Sequence, residues 1–236
     1  MGESLAQFMP INLKSLRDLR YRVFYWLVLR KAELITLGAP DSICQWTVCP
    51  TGLGSGSIVY SGGVGSDITF EHALVRQFGC EVTLLDPSPT GVKTMTLAEN
   101  KIPQFHFYPF ALAGHTGRLR LRPPLDPAGD SWLSPQNEGG QLEVPSIDLG
   151  SLMKQNRHEQ IDLLKLDIEG SDYEVIDSLL QARLPIRQIA VEFHHGILPG
   201  IRRGQTIRSM LKLMRSGYRL LDQTGANHTF IKMRRN

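Results

Sequence analysis

The sequence lacks a long hydrophobic run, because its longest uninterrupted apolar stretch covers only residues 23–29. A helix that crosses a membrane needs about 20 apolar residues, so we expect no transmembrane segment. The first residues also lack a charged stretch followed by an apolar run and a small-residue cleavage site, so we expect no signal peptide. Only three cysteines occur, an odd number that does not suit a disulfide framework. These absences predict a cytoplasmic protein with reduced thiols.

The composition excludes further classes of protein. The 22 glycines and 14 prolines follow no fixed period, which excludes a collagen-like chain. Apolar residues make up 42% of the chain and charged residues 21%, as in ordinary globular proteins rather than disordered ones. The length of 236 residues favours one α/β domain with an N-terminal extension.

The net charge of +3 is small, but the basic residues are unevenly distributed. Residues 193–221 contain no acid and six basic side chains, namely Arg202, Arg203, Arg208, Lys212, Arg215 and Arg219. Such a stretch is typical of a solvated helix face. It could also contact an anionic substrate, a nucleic acid or a membrane surface.

The first 50 residues are predicted to form an N-terminal helical extension. Within it, leucines and other apolar residues recur at three- and four-residue spacing over residues 12–36, which predicts a helix. Gly38 and Pro40 are predicted to end this helix. We expect it to pack on its own domain or on a second subunit, which would make a homo-oligomer, rather than to insert into a membrane.

From residue 51 to residue 236, strand and helix signals alternate, which predicts a mostly parallel sheet with helices on both faces. Strands are predicted at residues 57–61, 81–85, 104–108, 118–122, 161–166, 186–193, 218–222 and 229–233. Helices are predicted at residues 67–78, 88–100, 147–156 and 206–215, and a capping box at Ser171 opens another. Residues 123–145 are predicted to be a long loop, of the length typical of lids and substrate loops. The last two strands are joined by a short turn, so they must pair antiparallel.

An open sheet of this kind binds ligands at the carboxyl ends of its strands. After the first strand comes the glycine-rich turn Ser61-Gly-Gly-Val-Gly-Ser-Asp67, which lets the backbone approach a ligand closely. After the second strand comes Asp86, 21 residues beyond Gly65, where a carboxylate can accept both hydroxyl protons of a ribose. This pair favours a cofactor that contains a nucleoside.

The same turn argues against a dinucleotide. Gly63-Val-Gly65 is not followed by the third glycine of a dinucleotide turn, and Asp67 places a negative charge where a pyrophosphate would lie. The Gly-Lys-Ser/Thr of a P-loop is also missing. S-adenosylmethionine carries a sulfonium and an ammonium and no phosphate, so it suits this turn better.

Six segments, in the same order along the chain, resemble the FkbM-type family of class I S-adenosylmethionine-dependent methyltransferases. They are Val59-Tyr-Ser-Gly-Gly-Val-Gly-Ser-Asp-Ile-Thr-Phe-Glu71, Leu85-Asp-Pro-Ser-Pro89, Ala111-Leu-Ala-Gly114, Leu164-Lys-Leu-Asp-Ile-Glu-Gly170, Val191-Glu-Phe-His-His195 and Asn227-His-Thr-Phe-Ile231. The resemblance implies a Rossmann-like α/β sheet of seven strands, the last one antiparallel. It also implies O-methylation of a sugar, a polyketide or a related small molecule.

The matching segments predict which residues bind the cofactor: Ser61, Gly62, Gly63, Val64, Gly65, Asp67, Glu71, Asp86, Pro87, Ser88, Ala111 and Asp167. Many class I enzymes carry an acid where this chain has Ser61. The methionine ammonium would then be held by Asp67, Glu71 or Asp167.

The catalytic residues are predicted at two neighbouring strand ends. Asp167 and Glu169 project from one side of an extended segment, as do Glu192 and His194, so these groups should converge. We expect His194 to take the proton of the acceptor hydroxyl while Asp167 and Glu169 orient it. Mg²⁺ or Mn²⁺ held by Asp167, Glu169 and His194 is an alternative that we do not expect.

Lys165 lies deeper on the side of Asp167 and is predicted to be a buried cation paired with a carboxylate such as Glu192. His195 points to the other side of its strand, which favours a structural role.

Two other functions compete with methylation of a small molecule. The basic C-terminal face suggests a nucleic-acid methyltransferase. However, the Pro-Pro-aromatic turn that the amino-methylating enzymes of that class share after strand four is replaced here by Ile168-Glu-Gly170, which makes a nucleic-acid substrate unlikely. A non-catalytic scaffold with the same fold is the other alternative, and the retained glycines, Asp86, Asp167 and Glu169 argue against it.

Overall fold

The computed structural model describes residues 23–25, 27–40, 42, 44–124, 132–133, 141–198 and 200–233. Its strands are β1 (Ile35–Leu37), β2 (Trp46–Val48), β3 (Ile58–Gly62), β4 (Glu81–Leu85), β5 (Phe105–Tyr108), β6 (Ala111–Leu112), β7 (Gly117–Leu121), β8 (Leu142–Ile147), β9 (Ile161–Leu166), β10 (Ile186–Glu192), β11 (Tyr218–Thr224) and β12 (Asn227–Lys232). Its helices are α1 (Thr69–Phe78), α2 (Pro89–Thr96), α3 (Leu149–Asn156), α4 (Asp172–Gln181) and α5 (Arg203–Arg215), with a short 3₁₀ turn at Ala98–Asn100.

The main sheet has seven strands in the order β11-β12-β10-β9-β3-β4-β5. Strand β12 runs antiparallel to both of its neighbours, whereas β10, β9, β3, β4 and β5 pair in parallel. This confirms the predicted α/β sheet with an antiparallel last strand. Every residue of β9 is buried, including Asp162 and Lys165, because the strand lies in the middle of a parallel sheet.

A second, three-stranded sheet has the order β6-β8-β7 and was not predicted. Strand β8 occupies residues 142–147, so the loop predicted for residues 123–145 and the helix predicted to begin at residue 147 are both wrong there. The reason is that Asp148 caps the helix: its carboxylate accepts a hydrogen bond from Ser151 N, and α3 begins only at Leu149. Residues 125–131 and 134–140 of the predicted loop lie outside the described residues.

The N-terminal segment also differs from the prediction. Residues 23–25 and 27–28 are helical, but the described residues 29–50 are not, so the helix predicted for residues 12–36 ends early. Strands β1 and β2 form an antiparallel hairpin instead. Its β2 strand packs on the main sheet, where Thr229 Oγ1 donates to Thr47 O and Cys49 N donates to Gln188 Oε1. Residues 12–22 of the predicted helix lie outside the described residues.

The capping box predicted at Ser171 is also wrong. Helix α4 begins at Asp172, and the Ser171 side chain makes no capping hydrogen bond. The carboxylate of Asp172 instead accepts from the backbone amides of Ile168 and Gly170, which precede the helix.

Two apolar clusters cover the two faces of the main sheet. One contains residues of α3, α4 and α5, and the other contains residues of α1 together with Trp46 and Val48 of β2. Among the described residues, no helix has both the length and the apolar character needed to span a bilayer.

Candidate active site

A cavity of about 740 Å³ opens beside the carboxyl ends of β3, β4, β9 and β10. Its volume falls within the range of small-molecule pockets, about 300–1,000 Å³. Gly63, Asp86, Asp167 and His194 line it, and each follows a different strand. These residues are distant in sequence, but parallel strands bring their carboxyl ends to one edge of the sheet.

The glycine turn leads from β3 towards α1 and forms one wall. Gly63 has a φ of 87°, and a Cβ atom added there would lie 1.8 Å from the backbone oxygen of Asp167. Only glycine fits, because any side chain would collide with the loop that follows β9. Gly63, Val64 and Gly65 line the cavity. Gly62 does not, and a Cβ atom there would lie 3.0 Å from the side chains of both Ile168 and Leu112.

Asp86 ties the end of β4 to this turn. One of its carboxylate oxygens accepts from Val64 N at 3.0 Å and from Gly65 N at 2.9 Å, and the other accepts from Ser88 N at 2.8 Å. A carboxylate offers about four acceptor positions, so roughly one remains for a ligand while the three amides stay bound. Pro87 and Ser88 line the cavity beside Asp86, and Ala111 lines it from β6.

A buried polar group lies between β3, α1 and β9. It consists of Ser61 of β3, Glu71 of α1 and Lys165 of β9. Ser61 Oγ donates to Glu71, and neither residue lines the cavity. Lys165 Nζ donates to Gly63 O at 2.6 Å and lies 3.7 Å from Glu71 Oε1 and 3.8 Å from Asp167 Oδ2. Burial lowers the pKa of Lys165, but the charges of Glu71 and Asp167 outweigh it and raise the pKa above its usual value. The ion pairs of Lys165 therefore involve Glu71 and Asp167 rather than the predicted Glu192.

Asp67 lines the cavity and lies two residues before the start of α1. Its carboxylate accepts from Thr69 N at 2.7 Å and from the hydroxyl of Ser42. Burial raises the pKa of Asp67, but these hydrogen bonds outweigh it and lower the pKa below its usual value. Of the three acids considered for a ligand's ammonium, Asp67 and Asp167 therefore reach the cavity and Glu71 does not.

The structure brings Asp167, Glu169 and His194 together, as predicted. The buried imidazole of His194 places Nε2 3.3 Å from Glu169 Oε2 and 3.8 Å from Asp167 Oδ1. Its Nδ1 lies 3.2 Å from Asp172 Oδ2. Burial lowers the pKa of His194, but the hydrogen bond and charge of Asp172, followed by the charges of Glu169 and Glu192, raise it to about 10.

Glu192 also lines the cavity and lies with these groups as expected, although no catalytic or binding role was predicted for it. Burial and the neighbouring carboxylate of Asp167 raise the pKa of Glu192 to about 8, although His194 opposes the shift. Asp167, Glu192 and His194 each place a potential ligand atom within 4.8 Å of the others, a spacing that a divalent cation could bridge. The set predicted for a metal contained Glu169 in place of Glu192.

Part of the cavity lining is apolar. This part comes from β7, from the segments after β7 and from the segment after β10, with Leu119, Leu121, Pro124, Trp132, Leu133, Ile197 and Leu198. His195 is absent from the lining, and its Nδ1 lies 2.9 Å from Thr206 Oγ1. The cavity therefore offers apolar side chains to the body of a ligand as well as the polar groups of Asp167 and His194.

Ser42 and Cys44 also line the cavity, from the loop between β1 and β2. The sequence analysis missed them because it assigned this region to a helical extension. Gly38 and Pro40, which it took as the end of a helix, were the available sign of a turn. Burial raises the pKa of Cys44 to about 11, so its thiol is not ionised at neutral pH.

Comparison with known proteins agrees with this architecture. The model of the methyltransferase FkbM domain family matches residues 59–220. A human protein described as probable methyltransferase-like protein 24 is 28% identical over 140 residues, which cover 58% of this chain. The match spans only 32% of the length of that relative.

Similar solved structures share little sequence with this chain. Fibrillarin, a pre-rRNA processing protein of Methanococcus jannaschii, is 10% identical with a TM-score of 0.45, covering 76% of this chain and 67% of its own. An rRNA methylase from Streptococcus thermophilus is 12% identical with a TM-score of 0.44, covering 77% of this chain and 90% of its own. The family match extends from β3 into β11 and includes the glycine turn, Asp86, Asp167 and His194. The chain belongs to the FkbM methyltransferase family.

Proposed function

We propose that this protein is an S-adenosylmethionine-dependent O-methyltransferase whose acceptor is a neutral small molecule with a hydroxyl beside an apolar body. The observation that carries the proposal is the arrangement of one cavity. The glycine turn and Asp86 line this cavity together with a set of apolar side chains. Asp167, Glu169 and His194 line the same cavity. A sugar derivative or a polyketide with a free hydroxyl is the acceptor class that we favour.

The residues present fit this cofactor. Gly63 leaves the turn without a side chain, Asp86 offers an acceptor to a ribose, and Asp67 and Asp167 offer negative charge to an ammonium. S-adenosylmethionine would supply a methyl group that is made electrophilic by the sulfonium to which it is bonded. Pro87, Ser88 and Ala111 would complete the binding surface on the β4 and β6 side.

In this proposal, His194 is the base that accepts the proton lost by the hydroxyl of the acceptor. Nε2 is the ring nitrogen beside Glu169 and Asp167, so a hydroxyl held by these two carboxylates lies within reach of the imidazole. The raised pKa of His194 means that the ring carries a proton at neutral pH in the free protein. It accepts a proton from the hydroxyl only after losing its own, so activity increases as the pH rises.

The charges of the cavity favour a neutral acceptor over a nucleic acid. Asp67, Asp86, Asp167 and Glu169 line it, against Lys165 and His194 among the described residues. Glu192, whose pKa is about 8, adds a negative charge only above neutral pH. A polyanion needs lysines and arginines along its path. The six basic residues between 202 and 219 lie on or near α5, and the described cavity lining includes none of them.

A location in the reducing cytoplasm accords with three free cysteines.

The proposal is tested by transfer of a labelled methyl group to a panel of acceptors. The panel contains apolar ring compounds with one hydroxyl, the same compounds lacking the hydroxyl, phosphorylated sugars and RNA oligonucleotides. We expect label only in the neutral hydroxyl compounds, and a loss of about 10²–10⁴-fold in turnover for His194→Gln. His195→Gln is the matched control, since that imidazole does not line the cavity. Transfer to RNA, or to no hydroxyl compound, would contradict the proposal.

A further inference from the structure

Asp172 is a buried acid that does not line the cavity, yet it contacts both segments that carry the catalytic groups. Its side chain has no exposed surface. It lies at the first position of α4, between the loop that follows β9 and the loop that follows β10. A buried carboxylate is costly unless hydrogen bonds or a paired cation satisfy it, so its contacts need an explanation.

The first set of contacts surrounds Glu169. Asp172 Oδ1 accepts from Ile168 N at 3.2 Å, and Oδ2 accepts from Gly170 N at 3.1 Å. Glu169 lies between these two amides with a φ of 49°, in the left-handed region that side chains other than glycine rarely adopt. Such a conformation persists only where the surroundings hold it. Asp172 holds it from both sides and so directs the Glu169 carboxylate towards His194.

The second contact sets the orientation of the imidazole. Asp172 Oδ2 lies 3.2 Å from His194 Nδ1. This oxygen already accepts a backbone N–H, and a carboxylate only accepts, so the proton of this contact belongs to Nδ1. The other nitrogen, Nε2, then faces Glu169 and Asp167 at the cavity wall. The arrangement resembles the carboxylate–imidazole pairs of hydrolases, in which a buried acid fixes the tautomer of a catalytic histidine.

We propose that Asp172 is the positioning residue of this active site: it keeps the proton of His194 on Nδ1, presents Nε2 to the acceptor, and fixes the left-handed conformation that aims Glu169 at the imidazole. This inference rests on the proposed role of His194 as the base. It names a residue that touches neither cofactor nor acceptor and acts through two residues that do.

Asp172→Asn is the decisive variant because it changes charge without changing shape. The single amide oxygen cannot serve both backbone amides and Nδ1. At the position of Oδ2 it leaves the NH₂ against Ile168 N and releases one side of the Glu169 turn, and at the position of Oδ1 it leaves the NH₂ against Nδ1 and moves the imidazole proton to Nε2. We expect kcat to fall by about 10²–10⁴-fold, while the acceptor KM and the calorimetric affinity for S-adenosylmethionine change less than about threefold. Glu174→Gln, an exposed acid-to-amide change on the same helix, is the matched control and should leave all three unchanged.

Two further measurements separate positioning from stability. In a double-mutant cycle, Asp172→Asn should have little additional effect on kcat once His194 is replaced by glutamine, because the two residues act in series. Nitrogen-15 NMR of the wild-type histidines between pH 7 and 10.5 should show that His194 loses its proton from Nε2 while Nδ1 stays protonated. Asp167, Glu169, Asp172 and Glu192 are the charged groups that bear on this titration.

Normal kcat in a folded Asp172→Asn protein, or additive losses in the double-mutant cycle, would overturn the inference. Loss of the Nδ1 proton first in the wild-type titration would overturn it as well, and that measurement needs neither a variant nor an acceptor. If no acceptor is methylated, the proposed function fails, whereas the NMR result still decides whether Asp172 fixes the imidazole.

Discussion

Asp86 offers the sharpest test of the cofactor site, because its contacts show what each substitution removes. Asp86→Ala would deprive Val64 N, Gly65 N and Ser88 N of their acceptor. Each buried amide without a partner costs about 1–3 kcal/mol. Three of them amount to roughly 3–9 kcal/mol, which is comparable with the whole stability of a domain, about 5–15 kcal/mol. The alanine variant would therefore damage the turn itself and could not report on the cofactor.

Asp86→Asn is the better perturbation. An amide oxygen at the position of Oδ2 still accepts from Val64 N and Gly65 N, and only the bond from Ser88 N is lost. The free acceptor position of Asp86 lies on its other oxygen, Oδ1, which becomes an NH₂ donor in the asparagine variant, so a ligand hydroxyl would lose a charge-assisted bond there, about 1.5–3 kcal/mol. That loss predicts an S-adenosylmethionine dissociation constant about 10- to 150-fold higher.

Gly91→Ala tests the same carboxylate with its charge intact. A Cβ atom at Gly91 would lie 2.3 Å from Asp86 Cγ and 2.4 Å from Oδ2, so the carboxylate must move. Alanine favours the helix more than glycine does, so α2 itself is not weakened. Gly204→Ala is the matched control, because a Cβ atom there meets nothing within 4 Å. Isothermal titration calorimetry should show weaker binding in Asp86→Asn and Gly91→Ala and wild-type affinity in Gly204→Ala. Unchanged affinity in the first two would refute the reasoning.

Three further predictions concern the buried charges. Lys165→Met should lower the free energy of unfolding by about 3–5 kcal/mol in urea denaturation, because it leaves buried Glu71 without its cation, and an unchanged midpoint would be inconsistent with that pairing. The wild-type kcat/KM should rise about tenfold per pH unit between pH 7 and pH 9, because the imidazole of His194, whose pKa is about 10, must be neutral to act as a base; a flat profile would contradict this role. Dialysis against a chelator should leave turnover unchanged, and recovery of lost activity with Mg²⁺ or Mn²⁺ would show instead that a cation occupies the group of Asp167, Glu192 and His194.

Several features were determined by the sequence because their causes are local. The mainly apolar segment at residues 161–166 has the length and composition of a strand buried on both faces, and it forms β9. The short connection between β11 and β12 leaves no room for a crossover, so the last strand had to be antiparallel. Asp167 and His194 were predicted to meet because each follows a parallel strand, and strands β9 and β10 are indeed neighbours.

Other features were decided only by the tertiary structure, because they depend on which element lies beside which. Lys165 pairs with Glu71 rather than Glu192 because Ser61 of β3 is its direct neighbour in the sheet and α1 returns Glu71 to the same place. The helical pattern of apolar residues continues to residue 36, but β1 pairs with β2 instead. Pairing with another strand outweighs the local preference for helix. In the sequence, Asp172 lies within the segment predicted to be a helix cap. Only the packing of α4 between two loops brings its carboxylate within hydrogen-bond distance of His194 Nδ1.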